Sequence, residues 1–190
     1  METLRSVIRK SLEKDYANEP TRRRFHAKSL GLLHATFEVA NDLPAELRVG
    51  IFAQPRSYKA LIRFSNAAQK PVVDHKRGHR GMAIKVLDTG IKPMDPDALG
   101  NTQDFLCTTS TTLAPGMLKR YVMANRALFG KFFYLLGYVL NPLNWATILK
   151  LNNSRPKNVA NVLEQRYFSA TPYLFGEGSA VKWHVRPNKA

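Results

Sequence analysis

The chain changes character at about Ala114, and that change bounds its fold more tightly than any other feature. Before it, short apolar runs are separated by polar or Gly/Pro-containing turns, as strands joined by short connections are. These runs are Leu32 to Ala40, Ala60 to Asn66, Gly81 to Leu87 and Thr102 to Thr109. After it, Pro115 to Leu140 and Pro142 to Leu151 read as helices, each with a proline near its start, where a missing N–H costs nothing. A short helix over Asn158 to Gln165 is expected after a turn at Asn152-Asn153-Ser154-Arg155-Pro156. A last strand is expected over Ala180 to Arg186, where Val181, Trp183 and Val185 alternate with Lys182, His184 and Arg186. Strands followed by helices predict an α+β fold.

With 190 residues and 44% hydrophobic content, the chain has enough apolar surface for one core. One domain over 1–190 is expected: an N-terminal helix in 1–20, strands in 21–113, a helical segment in 114–166, and the last strand and tail in 167–190. Leu4, Val7, Ile8 and Leu12 fall on one face of that first helix. The N-terminus has no apolar stretch like a signal peptide's, and Glu2, Glu13 and Asp15 count against a transit peptide. A single cysteine, Cys107, excludes an internal disulfide and suits a reducing compartment; in an apolar strand it reads as an inert core thiol. These features point to a cytoplasmic protein without a transmembrane helix. The run Leu128 to Leu140 is apolar but broken by Lys131 and stopped by Asn141-Pro142, short of the roughly 20 residues a span needs. It reads as a core helix. The alternative is an interfacial helix with Phe132, Phe133, Tyr134 and Tyr138 among headgroups, making the protein peripheral to an anionic membrane surface.

The net charge of +15 implies attraction to anions: phosphates, carboxylates or lipid headgroups. Nucleic acid is not the expected partner, because zinc-finger spacing, a helix-turn-helix signature and base-stacking aromatic motifs are all missing. The charge is densest at Arg22 to Lys28, where five of seven residues are basic, immediately before an apolar run. Taken alone, Arg22, Arg23 and Arg24 also read as a solvated loop. In Arg63-Phe64-Ser65, strand alternation puts Arg63 and Ser65 on one face, which calls for an anion or a polar partner. In His79-Arg80-Gly81-Met82, a basic turn enters a strand, and Gly81 suggests close backbone approach. His34, His75, His79 and His184 have no spacing suited to a metal site, so none is expected.

In order, FHAKSLGLLHATFEV, DLPAELRVGIFAQP, RFSN, HRGMAIKV, TQDFL and YFSATPYLFGEGSAVKW resemble the haem catalase superfamily. The likeness is to its smaller branch of haem peroxidase-like and lipid-hydroperoxide-converting proteins, over about residues 20 to 187. The resemblance implies a partial antiparallel catalase-like β-barrel of about five to six strands, with helices after residue 114 packed on it. It also implies haem b as cofactor. His26 matches the distal acid/base histidine, and Ser65 the serine that holds its ring. Arg23 and Arg63 match arginines that pair with haem propionates, a strong charge-assisted contact. Phe25 and Phe64 are candidates for packing near the porphyrin, with core packing as the alternative.

Two departures stand beside these matches. Thr109 occupies the position of an asparagine that orients peroxide. No arginine in the sequence is followed four residues later by tyrosine, so the family's proximal Arg-x-x-x-Tyr ligand is missing. The resemblance therefore implies a truncated chain: a natural half-length protein, one product of a split gene, or a shortened piece. It further implies an open barrel edge and an oligomer, or a second chain completing the barrel. Two functions follow as expectations. One is a haem protein acting on hydrogen peroxide or a lipid hydroperoxide through His26. The alternative is a non-catalytic remnant that needs a partner chain or lacks haem.

Overall fold

The computed structural model describes residues 4–91, 100–112, 116–153 and 159–188. The fold is α+β: a curled, six-stranded antiparallel half-barrel with four helices, as expected. Helix α1 (Leu4–Asp15) precedes strands β1 (Ser29–Glu38), β2 (Ser57–Asn66), β3 (Arg80–Val86) and β4 (Gln103–Thr108). Helices α2 (Leu118–Phe129), α3 (Phe132–Leu140) and α4 (Trp145–Asn153) follow. The chain then returns in four two-residue strands: β5 (Tyr167–Phe168), β6 (Tyr173–Leu174), β7 (Ala180–Val181) and β8 (His184–Val185). Sheet order is β1-β2-β3-β4-β5-β8, with β6 and β7 forming a separate hairpin.

Alternation sets the two faces of the sheet. Phe64, Met82, Ile84, Val86, Phe105 and Cys107 point into the core, where Phe37 stacks on Phe105 and Trp183 meets Phe105 edge-on. Trp183 Nε1 donates to Cys107 Sγ at 3.1 Å, and burial pushes that thiol's pKa up, as an inert core cysteine requires. A cavity of about 870 Å³ opens on this core side between β4, the Leu43–Phe52 loop and the β6–β7 hairpin.

Several boundaries differ from those the sequence predicts. The helix expected from Pro115 to Leu140 is two helices, and Pro115 lies outside the described residues. Gly130 and Lys131 take extended backbone between them, and a Cβ at Gly130 would overlap the Arg126 carbonyl that closes α2. Of the helix expected over Asn158 to Gln165, a single 3-10 turn at Val162–Glu164 forms, capped by Asn161; Asn158 is not described. Asn152 and Asn153 end α4 rather than starting a turn, whose remaining residues fall outside the described ones. The last strand splits at Lys182 and Trp183, because Trp183 pairs with Ser169 while Val181 pairs with Tyr173. The core reading of Leu128 to Leu140 is overturned: none of α3 is buried, and Phe132 and Phe133 are exposed.

Candidate active site around His26

His26 lies on the outer face of the sheet, at the end of the segment that leads into β1. Its ring rests above the row where Ser65 pairs with Gly81 across β2 and β3. His26 Nδ1 is 2.9 Å from Ser65 Oγ. Ser65 Oγ donates to Gly81 O at 3.5 Å, so it accepts from Nδ1–H, and Nε2 keeps its lone pair. A Cβ at Gly81 would overlap His26 Cε1 and Nδ1, with Ser65 Oγ only 2.9 Å away. Gly81 is therefore the floor on which the imidazole lies. The close approach inferred from sequence is to this ring.

The backbone beneath the ring is also held. His26 has φ of +57°, a left-handed conformation rare outside glycine. Arg63 Nη2 donates to the His26 carbonyl at 2.8 Å, which fixes that peptide. Arg24, which reads as a loop residue in the sequence, is buried: it pairs with Asp15, and its guanidinium lies 4.2 Å from the Phe129 ring centroid. Lys28 pairs with Asp74 at 2.6 Å. The His26 segment is thus fastened on both sides to α1, α2 and the loop before β3. Arg24 left no signal in the sequence, because its partners are brought in from distant positions.

Burial, then the charges of Arg63 and Arg23, hold the His26 pKa below the usual histidine value. Burial and the neighbouring Arg23 likewise lower that of Arg63. Among the described residues neither Arg23 nor Arg63 has a carboxylate partner. Two close guanidiniums in this condition have the chemistry to accept an anion. One row along the outer face, Leu32, Arg63, Ala83 and Leu106 stand side by side across β1 to β4. Leu32 and Leu106 are 60% and 58% exposed, giving an apolar strip beside the cations.

The remaining sequence candidates are placed elsewhere. Phe25 packs edge-on against Phe129, their centroids 5.6 Å apart, and so docks α2 beside the site. Phe64 points into the core against Tyr167. Thr109 is engaged with β3: its Oγ1 accepts from Arg80 N at 3.1 Å and lies 3.3 Å from His79 Nδ1. The neighbouring Thr108 pairs with Gly81 and so shares the row beneath His26. The 870 Å³ cavity lies on the opposite side of the sheet from His26.

One substitution tests the floor. Gly81→Ala is expected to lift the imidazole off Ser65 at a cost of about 1–3 kcal/mol in stability. It should also raise the His26 pKa toward its ordinary value by exposing the ring. Histidine-selective NMR titration checks this, and an unchanged His26 resonance would show that the ring does not rest there.

No protein-family model matches the chain, and no curated protein matches it. Its structure is similar to that of a protein described as a fungal catalase, with a TM-score of 0.56 and 17% sequence identity. The match covers 93% of this chain and 36% of the catalase chain. At that identity the likeness defines architecture: the fold is catalase-like, and the chain spans about a third of the catalase's length.

Proposed function

We propose that this protein binds haem over the outer face of the half-barrel and acts there on hydrogen peroxide or a lipid hydroperoxide. His26 is its acid/base group. The observation that carries the reading is the His26 Nδ1–Ser65 Oγ contact of 2.9 Å over Gly81, with two guanidiniums alongside. It joins a residue of the N-terminal loop to two strands, as a built site does.

The residues of the outer face suit the distal side of the group. Arg23 and Arg63, without a carboxylate partner among the described residues, offer cations to two propionates, and Leu32, Ala83 and Leu106 offer an apolar strip to a flat ring. Haem, when bound, supplies iron-centred redox chemistry. This chain's own work is proton handling. Nε2 of neutral His26 accepts the proton of the hydroperoxide and returns it to the departing oxygen, acting as base and then acid. Ser65 keeps the ring in the tautomer that allows this. Arg63 fixes the backbone that aims it and discourages protonation beforehand.

Titration of the full chain with ferric haem, followed by peroxide consumption against pH, tests the proposal. Saturable one-to-one binding, weakened in Arg23→Ala and Arg63→Ala, is expected. Turnover depends on neutral His26, and burial with the charges of Arg63 and Arg23 holds its pKa below the ordinary histidine value, so the acid limb of turnover should lie at lower pH than an ordinary histidine would give. Arg63→Gln removes a positive charge, so its acid limb should move to higher pH. Absence of stoichiometric haem binding would overturn the reading and leave a non-catalytic protein.

A further inference from the structure

We propose that helices α3 and α4, with the bend between them, form a docking surface that seats this protein on an anionic lipid bilayer. Helix α3 has the sequence FFYLLGYVL, without a charged or strongly polar side chain. Every residue in it is exposed except Tyr138, which is half-buried, and Phe133 reaches 78% exposure. Leu143 at the bend, and Trp145 and Leu149 of α4, extend the apolar surface. A helix apolar on all sides and displayed this way requires a cover. Among the described residues no single helix is long and apolar enough to cross a membrane, and the two segments meet at 85°. Length and bend therefore suit seating within one leaflet.

Charge identifies the cover. Between Asp104 and Glu164 the chain carries no acidic residue, while Lys119, Arg120, Lys131 and Lys150 are exposed around the apolar helices. Within a chain of net charge +15, this is the region from which carboxylates have been cleared. An apolar protein partner would not require that; a layer of anionic headgroups would favour it.

The bend is prepared for a medium without water. A helix end leaves carbonyls without partners, and in hydrocarbon these must be met internally. Here Asn144 Nδ2 donates to Tyr138 O at 2.9 Å, and Trp145 Nε1 donates to Val139 O at 2.8 Å. Asn141 Oδ1 accepts from Leu143 N at 3.0 Å. Three polar groups of the bend are thus paired with one another, while Tyr138 Oη is buried without a hydrogen-bond partner among the described residues, and Phe132, Leu140, Leu143 and the indole face are left free to enter lipid. Trp and Tyr suit this depth, having an apolar body and a polar tip.

The test uses the full chain with vesicles of phosphatidylcholine alone or mixed with phosphatidylserine. Flotation with the serine-containing vesicles, weakening as salt rises, is expected, with Trp145 quenched by brominated acyl chains. Phe132→Asp with Phe133→Asp should reduce partitioning on the order of tenfold or more, and Lys131→Glu with Lys150→Glu by a similar factor. Both pairs are exposed, and unchanged circular dichroism establishes that the variants fold. Binding indifferent to the phenylalanine pair would overturn the proposal, showing adhesion by net charge alone. So would failure to float, or sedimentation revealing self-association that the same pair abolishes, since a second copy would then be the cover. Haem titration is read separately, so failure here leaves the assignment of His26 standing.

Discussion

Replacing His26 with alanine should lower peroxide consumption by the haem-loaded protein by about 10²–10⁴-fold, the range over which a positioned proton-transfer group acts. Haem affinity should change little, because the proposed propionate partners are Arg23 and Arg63 rather than the imidazole. The stability change should also be modest, since the segment is anchored by Arg24 to Asp15 and by Lys28 to Asp74 independently of the ring. Ser65→Ala provides the companion measurement. It leaves Nδ1 without its acceptor and should cost less than removal of the ring, with the loss falling on turnover rather than on haem binding. Oxygen evolution or hydroperoxide loss at fixed haem occupancy reads both variants. Retention of turnover in His26→Ala would remove the imidazole from the chemistry.

Arg80→Met should destabilise the fold by about 3 kcal/mol or more, the largest effect expected for a residue outside the site. Arg80 is 1% exposed and donates to three carbonyls: Gly78 O at 3.0 Å, Asp74 O at 2.7 Å and Lys76 O at 3.1 Å. Its guanidinium folds the loop before β3 onto itself. Methionine fills much of the volume but leaves those acceptors without a donor. The consequence should reach the site, because Asp74 in that loop pairs with Lys28, two residues beyond His26. Urea unfolding measures the stability loss. A change within about 1 kcal/mol would show that the loop takes up water instead.

The parts of this molecule legible in its sequence are those set by local pattern. Period-two alternation placed Arg63 and Ser65 on one face and Ile62 and Phe64 on the other, and the register bears this out. The break at Gly130 was readable in principle, as a helix-ending glycine inside an apolar run. Strands β5 and β6 were not, because two residues carry no periodicity, and β5 is created by the long-range pair of Thr108 with Phe168; β7 and β8 fall within the alternation at Ala180 to Arg186, though their split at Lys182 and Trp183 was not readable. The site divides the same way. The motifs containing His26, Ser65 and Gly81 were visible, but their stacking depends on a left-handed residue and a three-strand register that only the folded chain supplies. Thr109 shows the limit: aligned by motif with a peroxide-facing position, its hydroxyl is engaged by the backbone of Arg80.

Strands β1 to β4 pair strictly with their neighbours in the chain, whereas β5 must travel back past three helices to reach β4, and β8 joins β5 after the β6–β7 hairpin. Ser65 and Gly81 both belong to the locally wired portion, and His26 immediately precedes it. Nearest-neighbour hairpins close at smaller entropic cost than distant ones. The shelf that receives the imidazole is therefore expected to form early, before the returning C-terminal segment closes over the core, and pulsed hydrogen exchange at the amides of β2 and β3 during refolding would check that order.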